Sequence, residues 1–118
     1  MLCTPGNTCS SGSIESALDK IKEKCPIEGN YDASICNEGG GIDTNIERSS
    51  YYDITDTDMI NLLQSGPVAV GVSSSGWSDY YGGAIACSDS DPINYAVMVV
   101  GYTANAYIIR NSWGIGWG

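Results

Sequence analysis

The segment from Ile93 to Tyr102 is nearly all apolar, and no other stretch constrains the fold as strongly. An apolar run of this length predicts a β-strand that is covered on both faces. Ala106 to Arg110 follows after a short turn and is predicted to be the neighbouring strand. Val68 to Val72 alternates valine with alanine or glycine, which indicates a third strand with room on one face. The second half of the chain is therefore expected to be rich in β-structure.

Two helices are predicted before these strands. The first begins behind a Ser13 cap and runs for about three turns, because apolar residues recur there at helical spacing (Ile14, Ala17, Leu18 and Ile21). The second begins behind a Thr55 cap, with Asp58 three positions later, and it stops at the Gly-Pro pair that follows. The polar, glycine-containing stretch between them is expected to be mostly loop, with any domain division near its end.

Charge excludes two classes of partner. The chain has 118 residues, and its 14 acidic and 5 basic side chains give a net charge of −9. Such a field repels the phosphates of nucleic acids and the surface of anionic membranes. The length and the 42% hydrophobic content suit a single domain. We therefore expect no nucleic acid and no membrane partner.

Cysteine and histidine usage limits the chemistry. The five cysteines (Cys3, Cys9, Cys25, Cys36 and Cys87) include no C-x-x-C pair, and the chain has no histidine. This pattern favours disulfides over a zinc site, so no metal ion and no cofactor are expected, and it favours an oxidising compartment. The odd number leaves at least one thiol free or paired outside the chain. Any mechanism that needs an imidazole from this chain is excluded.

The last eight residues carry a specific motif. They are NSWGIGWG (residues 111–118), which resembles the N-S-W-G-x-x-W-G signature of the papain family of cysteine peptidases. Three segments upstream are similar to further motifs of that family: SGPVAV (65–70), YGGAI (81–85) and NYAV…VGY (94–102). Near the start, CSSG (9–12) is similar to a C-N-G-G element at its first and last positions only.

This resemblance implies an α+β, papain-like fold of two lobes with the substrate groove between them. In the family, the mainly helical lobe bears the nucleophilic cysteine, and the β-barrel-like lobe bears a histidine and an asparagine. The implied fold is incomplete in this chain. Residues 1–50 would be the C-terminal part of the helical lobe, and residues 51–118 would be most of the β-rich lobe, truncated at its C-terminal edge.

The resemblance also assigns roles to individual residues. Asn111 would be the amide that orients an imidazole, Trp113 would shield that contact from water, and Gly12 would offer its backbone to an extended substrate. The wall of the pocket that binds the second residue before the scissile bond would come from five positions: Val70, Gly71, Ile93, Asn94 and Ala96. The competing interpretations are structural, with Asn111 bridging backbone groups, Trp113 and Trp117 anchoring the core, and the pocket positions serving as ordinary strand residues.

Two departures from the family pattern dominate the functional prediction. Tyr95 occupies the position of the family's catalytic histidine, and a phenol, with an ordinary pKa of about 10, is a poor base near neutral pH. The C-G-S-C-W segment that holds the family's nucleophile is absent from the sequence. We expect Tyr95 to be a buried tyrosine that forms a hydrogen bond to Asn111 rather than a catalytic group.

The resemblance implies one disulfide within the chain, between Cys3 and Cys36. Cys9 and Cys87 match family cysteines whose partners would lie outside residues 1–118. Cys25 has no counterpart that the resemblance assigns.

Three functional hypotheses follow. The first is a non-catalytic papain-like module, a pseudo-peptidase that binds a peptide or protein or serves as a structural component. The second is one part of an active papain-family endopeptidase, with another chain supplying the missing lobe and completing the fold. The third is an inhibitory or decoy binder that captures peptides without cutting them. Cysteine usage and family resemblance both suggest a secretory, lysosomal or extracellular location.

Overall fold

The computed structural model describes residues 12–23 and 53–118. The chain divides into two units, Met1–Tyr52 and Asp53–Gly118. The assignment of residues 1–50 and 51–118 to the two lobes stays a prediction. The expectations for Cys3, Cys9, Cys25 and Cys36, and for the loop between the two helices, fall outside the described residues.

Helix α1 spans Ile14–Glu23, as the sequence predicts. The Ser13 hydroxyl accepts a 3.2 Å hydrogen bond from the Ser16 backbone N–H, and the Ser13 carbonyl accepts one from Ala17. A side-chain oxygen at this position satisfies an amide that has no partner within the helix, which is why serine favours the cap. The apolar residues Ile14 and Leu18 lie close to Ala17 on the surface of α1, and both are half-buried.

Helix α2 spans Asp56–Leu63 and begins with the predicted capping box. The Thr55 hydroxyl accepts from the Asp58 backbone N–H at 3.2 Å, and the Asp58 carboxylate accepts from the Thr55 backbone N–H at 2.9 Å. Each side chain therefore satisfies a backbone donor of the other residue. The hydrogen bond from the Thr55 hydroxyl, followed by that from its backbone, lowers the pKa of Asp58.

Three antiparallel strands follow in the order β1-β2-β3, at the positions that the sequence predicts. They are β1 (Val68–Val72), β2 (Tyr95–Tyr102) and β3 (Tyr107–Arg110). Val70 pairs with Val97, and Val99 pairs with Ile109. The register then shifts between Val99 and Gly101, so a β-bulge re-aims the last residues of β2.

One face of the sheet carries the core of this unit. Val97 and Val99 are buried, and Val70 lies on the same face because it pairs with Val97. Helix α2 packs against β2. The Tyr107 hydroxyl, at the start of β3, donates a 2.6 Å hydrogen bond to the Asp56 carboxylate in the first turn of that helix. Apolar packing and this hydrogen bond together fix the helix on the sheet.

The other face of β2 differs from the prediction. The sequence predicts a strand covered on both faces, but Ala96, Met98 and Val100 are exposed. The physical reason is that α2 is the one α-helix within residues 53–118 and packs against β2, and a single helix can cover only one face of a sheet. An apolar run indicates that a strand can be buried on both faces. Whether a second layer covers it depends on tertiary packing.

Both described helices are short. They have ten and eight residues, and a membrane-spanning helix needs about 20. Within residues 12–23 and 53–118, no helix is therefore long and apolar enough to cross a bilayer.

Candidate functional site

Tyr95 and Asn111 meet at one end of the sheet. Tyr95 is the first residue of β2, and Asn111 directly follows the last residue of β3, which runs antiparallel to it. The Tyr95 hydroxyl donates a 2.9 Å hydrogen bond to the Asn111 amide oxygen, and both side chains are half-buried. This is the contact that the sequence analysis expects in place of a catalytic pair.

The orientation of the Asn111 amide is fixed by its neighbour. Its Oδ1 also accepts a 2.7 Å hydrogen bond from the Ser112 backbone N–H, so the oxygen rather than the nitrogen must face the two donors. The Ser112 hydroxyl lies 3.2 Å from the Tyr95 hydroxyl. Because Tyr95 uses its proton on Asn111, Ser112 is the donor in this second contact. The phenol is thus held as both a donor and an acceptor.

The other end of the Asn111 amide is unsatisfied. In the part of the chain that the structure describes, its Nδ2 is buried and has no hydrogen-bond partner. A buried donor without a partner typically costs about 1 to 3 kcal/mol. The amide is therefore held by contacts on its oxygen side alone.

A series of aromatic ring contacts begins at Tyr95 and leads to Trp77. The Tyr95 ring lies 5.2 Å from Trp113, and Trp113 meets Trp117 edge to face at 5.5 Å. Trp117 stacks at 6.1 Å on the buried Trp77 and donates its indole N–H to the Trp77 carbonyl at 2.8 Å. Trp117 is therefore a core anchor. Trp113 is exposed and lies beside Tyr95, where the resemblance places the residue that shields the site.

The five predicted pocket positions do not share one surface. Gly71 pairs with Ala96, so these two lie on one face of the sheet, whereas Val70 pairs with Val97 and lies on the other. Ile93 crosses Gly71 so closely that a Cβ at this glycine would lie 2.8 Å from the Ile93 Cγ2 atom. The structure thus brings Gly71, Ile93 and Ala96 to one surface and leaves Val70 out.

The side chain of Asn94 is engaged in the structure. Its Oδ1 accepts from the Ser74 backbone N–H at 2.9 Å and lies 3.1 Å from the Ser74 hydroxyl. The backbone N–H of Asn94 donates to the Val72 carbonyl at 3.0 Å. Asn94 therefore ties the start of β2 to the loop that follows β1.

Gly12 and Cys87 complete the set of candidate residues. Gly12 is exposed and precedes α1 in the first unit, and it is described with that unit alone. Cys87 is free and exposed in the second unit, and it is the single cysteine among the described residues. With no histidine in the sequence, an imidazole partner for this thiol is absent from the chain.

Sequence reasoning misses two residues of this region. Ser112 contacts the Tyr95 hydroxyl, and Ser74 holds Asn94. Ser112 lies inside the closing motif, so its position between Asn111 and Trp113 is a usable signal. Ser74 is separated from Asn94 by 20 residues, and no local pattern indicates that contact.

The arrangement has a defined chemical capacity. It contains a hydrogen-bonded phenol, an oriented amide and an exposed indole. The sequence supplies no imidazole to this site.

Comparisons with known proteins point to one family. The family model described as "Papain family cysteine protease" matches residues 1–118. Cathepsin O of Homo sapiens is 31% identical over 128 residues, covering 93% of this chain and 40% of the relative. A viral cathepsin of Spodoptera exigua nuclear polyhedrosis virus is 28% identical, covering 93% and 36%. Vignain of Phaseolus vulgaris is 30% identical, covering 93% and 35%.

The chain thus spans between 35% and 40% of the length of these three relatives. No solved structure matches it.

Proposed function

Because the chain belongs to the papain family of cysteine proteases, we propose that it is a catalytically inactive member, a pseudo-peptidase that binds a peptide or protein or serves as a structural component. The observation that carries this proposal is the 2.9 Å hydrogen bond from Tyr95 to Asn111. The family resemblance puts an imidazole at this position. In this chain the position holds a phenol that already forms a hydrogen bond.

The chemistry of peptide-bond cleavage supports the proposal. Thiol proteolysis needs a base that forms the thiolate and an acid that protonates the leaving amine, and one imidazole usually does both. This chain has no histidine, and Cys87 has no such partner. An ordinary thiol is mostly protonated at neutral pH and is a weak nucleophile without an activating neighbour.

We further propose that the papain-like fold is incomplete, with a remnant of the helical lobe and most of the β-rich lobe. The support is the share of the relatives that the chain spans, 35% to 40%. This share favours a second candidate function, in which the chain is one part of an active endopeptidase and another chain supplies the missing lobe. That arrangement supplies a nucleophile but leaves Tyr95 in the histidine position.

A decoy binder is the third member of this set, and it differs from a purely structural component in retaining a groove. The exposed surface formed by Gly71, Ile93 and Ala96 supports it, since these apolar groups remain accessible. For location, the family and the cysteine content support a secretory, lysosomal or extracellular setting.

An activity-based probe tests the proposal. The full chain is incubated at mildly acidic pH with an electrophilic peptide probe that labels activated thiols, and the adduct is located by mass spectrometry. We expect no stoichiometric labelling of any cysteine, and the same result for a Cys87→Ser control. Stoichiometric labelling of one cysteine together with peptide turnover would overturn the proposal.

Replacing the phenol separates loss of one residue from wider decay. Tyr95→His is made in the chain joined to a complete N-terminal half that carries the C-G-S-C-W segment. The same joined protein without the substitution is the control. We expect cleavage from the Tyr95→His variant alone, because Asn111 already presents its oxygen to that position. Cleavage by the control would contradict the role assigned to Tyr95.

A further inference from the structure

One loop of the second unit is long and exposed. It follows a short 3₁₀ helix, Trp77–Asp79, and runs over residues 80–94 to the start of β2, fifteen residues without a helix or strand. Every residue from 81 to 94 is exposed except Ile85, which is half-buried. Loops longer than about 12 to 15 residues with no regular element are uncommon and usually have a function of their own. We call this segment loop 80–94.

Both ends of loop 80–94 are anchored. The Tyr80 hydroxyl donates a 2.6 Å hydrogen bond to the Gly83 carbonyl. At the other end, the Asn94 backbone N–H is held by the Val72 carbonyl at 3.0 Å. This second anchor lies directly before Tyr95, so a change inside the loop stops short of the Tyr95 side chain.

The middle of the loop is held unevenly. The Ser88 carbonyl accepts a 3.1 Å hydrogen bond from the Asp91 N–H, which closes a turn, and Pro92 follows. Residues 84–87, with the uncharged sequence AIAC, form no hydrogen bond among the described residues and contain no turn or bend. Exposed loop segments of small residues are preferred sites of proteolytic cleavage. The loop is therefore most open to an endopeptidase before its turn.

We propose that residues 84–87 are a processing site, at which an endopeptidase with a small aliphatic specificity pocket converts this chain into a two-chain protein. Water adds across the Ala86–Cys87 peptide bond, which leaves a carboxylate on Ala86 and an amine on Cys87. Both residues of this bond are exposed, whereas the Ala84–Ile85 bond includes a half-buried side chain. The proposal does not depend on the loss of catalysis.

The sequence also limits the class of endopeptidase. Enzymes that cut after lysine or arginine have no site in loop 80–94, because Arg110 is the one basic residue between positions 53 and 118 and lies in β3. Enzymes with a small pocket accept alanine before the cut. Cleavage beside a small aliphatic residue is therefore the chemistry that this loop fits.

The contacts that hold the second unit together cross the proposed cut. Trp117, after the cut, donates its indole N–H to the carbonyl of Trp77, before it, at 2.8 Å. Tyr107, after the cut, is bonded to Asp56, before it. The five residue pairs between β1 and β2 also join the two sides. We therefore expect the two fragments to stay associated in the native fold.

The turn between β2 and β3 gives an internal comparison. It also contains two alanines, Ala104 and Ala106, but Thr103 holds it closed. The Thr103 N–H donates to the Ala106 carbonyl at 2.7 Å, and the Thr103 hydroxyl accepts from the N–H groups of Asn105 and Ala106. An endopeptidase must break these hydrogen bonds before it can cut, so we expect cleavage there to be slower by about tenfold or more.

Limited digestion of the full chain with elastase, whose pocket is small, tests the proposal. Fragments are identified by mass spectrometry after reduction and sized by gel filtration without denaturant. We expect the first cut within residues 53–118 to fall between Ala86 and Cys87, with both fragments eluting together. Cys87→Ser should give the same elution, which excludes a disulfide of Cys87 as the tether.

Variants and one NMR signal complete the test. The double variant Ala84→Glu with Ala86→Glu should resist cleavage in loop 80–94, whereas Ala104→Glu, at an exposed position in the other turn, should be cut as the unmodified chain is. The indole N–H signal of Trp117 should persist in the cut protein, because its bond to the Trp77 carbonyl is kept. Circular dichroism verifies that each variant is folded.

The proposal fails on any of three results with the unmodified chain or with Cys87→Ser. One is a first cut elsewhere within residues 53–118. Another is resistance of that whole stretch to elastase. The last is separation of the two fragments in gel filtration without denaturant.

Discussion

The Tyr95 hydroxyl donates to the Asn111 amide oxygen across 2.9 Å, at the point where the first residue of β2 meets the residue after β3. The Ser112 N–H approaches the same oxygen at 2.7 Å and fixes which end of the amide faces the phenol. The Asn111 amide is therefore held in one orientation, with its oxygen facing the Tyr95 phenol.

Removing that hydroxyl tests the contact. We expect Tyr95→Phe to lower the free energy of unfolding by about 1 kcal/mol, because the Asn111 oxygen loses a donor while the ring packing is kept. Tyr81→Phe is the control, since Tyr81 is 90% exposed and its hydroxyl has no hydrogen bond in the described part of the chain. Urea unfolding of the two variants measures the difference. Equal stabilities would show that the Tyr95 bond contributes nothing.

A methyl group at Gly71 tests the packing of Ile93. Its Cβ would lie 2.8 Å from the Ile93 Cγ2 atom, so we expect Gly71→Ala to cost about 1 kcal/mol through overpacking. In an Ile93→Ala background the cost should vanish, because the Cγ2 methyl is gone. Gly101→Ala is the control, since its Cβ would lie 3.5 Å from the Ile108 side chain, an ordinary contact. A cost that persists without the Ile93 methyl would contradict this account.

The capping box of α2 gives a prediction at acid pH. Its hydrogen bonds lower the pKa of Asp58 from the ordinary 3.8. A lowered pKa in the folded state stabilises the fold fully above the unfolded value, and the effect is lost as pH falls through the folded value. We expect the stability difference between the unmodified chain and Asp58→Asn to shrink below about pH 4. A difference that is constant down to about pH 2 would contradict it.

The pKa of Tyr107 is shifted in the opposite direction from that of Asp58, so its effect on stability changes at alkaline pH. Its hydrogen bond to the Asp56 carboxylate raises its pKa above 10.0. The protonated phenol is thus favoured in the folded state, so its stabilising effect is complete below about pH 10 and lost as pH rises through the folded value.

We therefore expect Tyr107→Phe to be less stable than the unmodified chain by up to about 1 kcal/mol near pH 8, with the two converging above the pKa of Tyr107. Thermal unfolding as a function of pH measures this. Tyr102→Phe is the control, because the Tyr102 hydroxyl has no hydrogen bond among the described residues. A gap that does not narrow at high pH would show that the hydrogen bond to Asp56 is not its origin.

The sequence predicts the elements of this fold because their signals are local. Ser13 and Thr55 mark helix starts through side-chain oxygens within three residues of the amides they accept from. The Tyr95–Asn111 contact is also predicted, since it follows from two motifs of one family. These features depend on spacing along the chain or on motifs that can be aligned.

Features that depend on packing are not predicted. The apolar run of β2 suggests two covered faces, yet whether a second layer lies on Met98 and Val100 is decided by tertiary structure. The link between Ser74 and Asn94 spans 20 residues and has no periodic signature. Val70 lies outside the surface around Gly71 because successive side chains of a strand point to opposite faces. Family resemblance assigns roles by position in the sequence and does not take this alternation into account.

Peptide hydrolysis by the unmodified chain tests the central claim most directly. The purified protein is assayed with fluorogenic peptides across the acid to neutral range, without any added polypeptide, and with a thiol-alkylated sample as the control. If Tyr95 cannot replace an imidazole, the rate at every pH will equal that of the alkylated sample. A bell-shaped pH profile that alkylation abolishes would contradict the account.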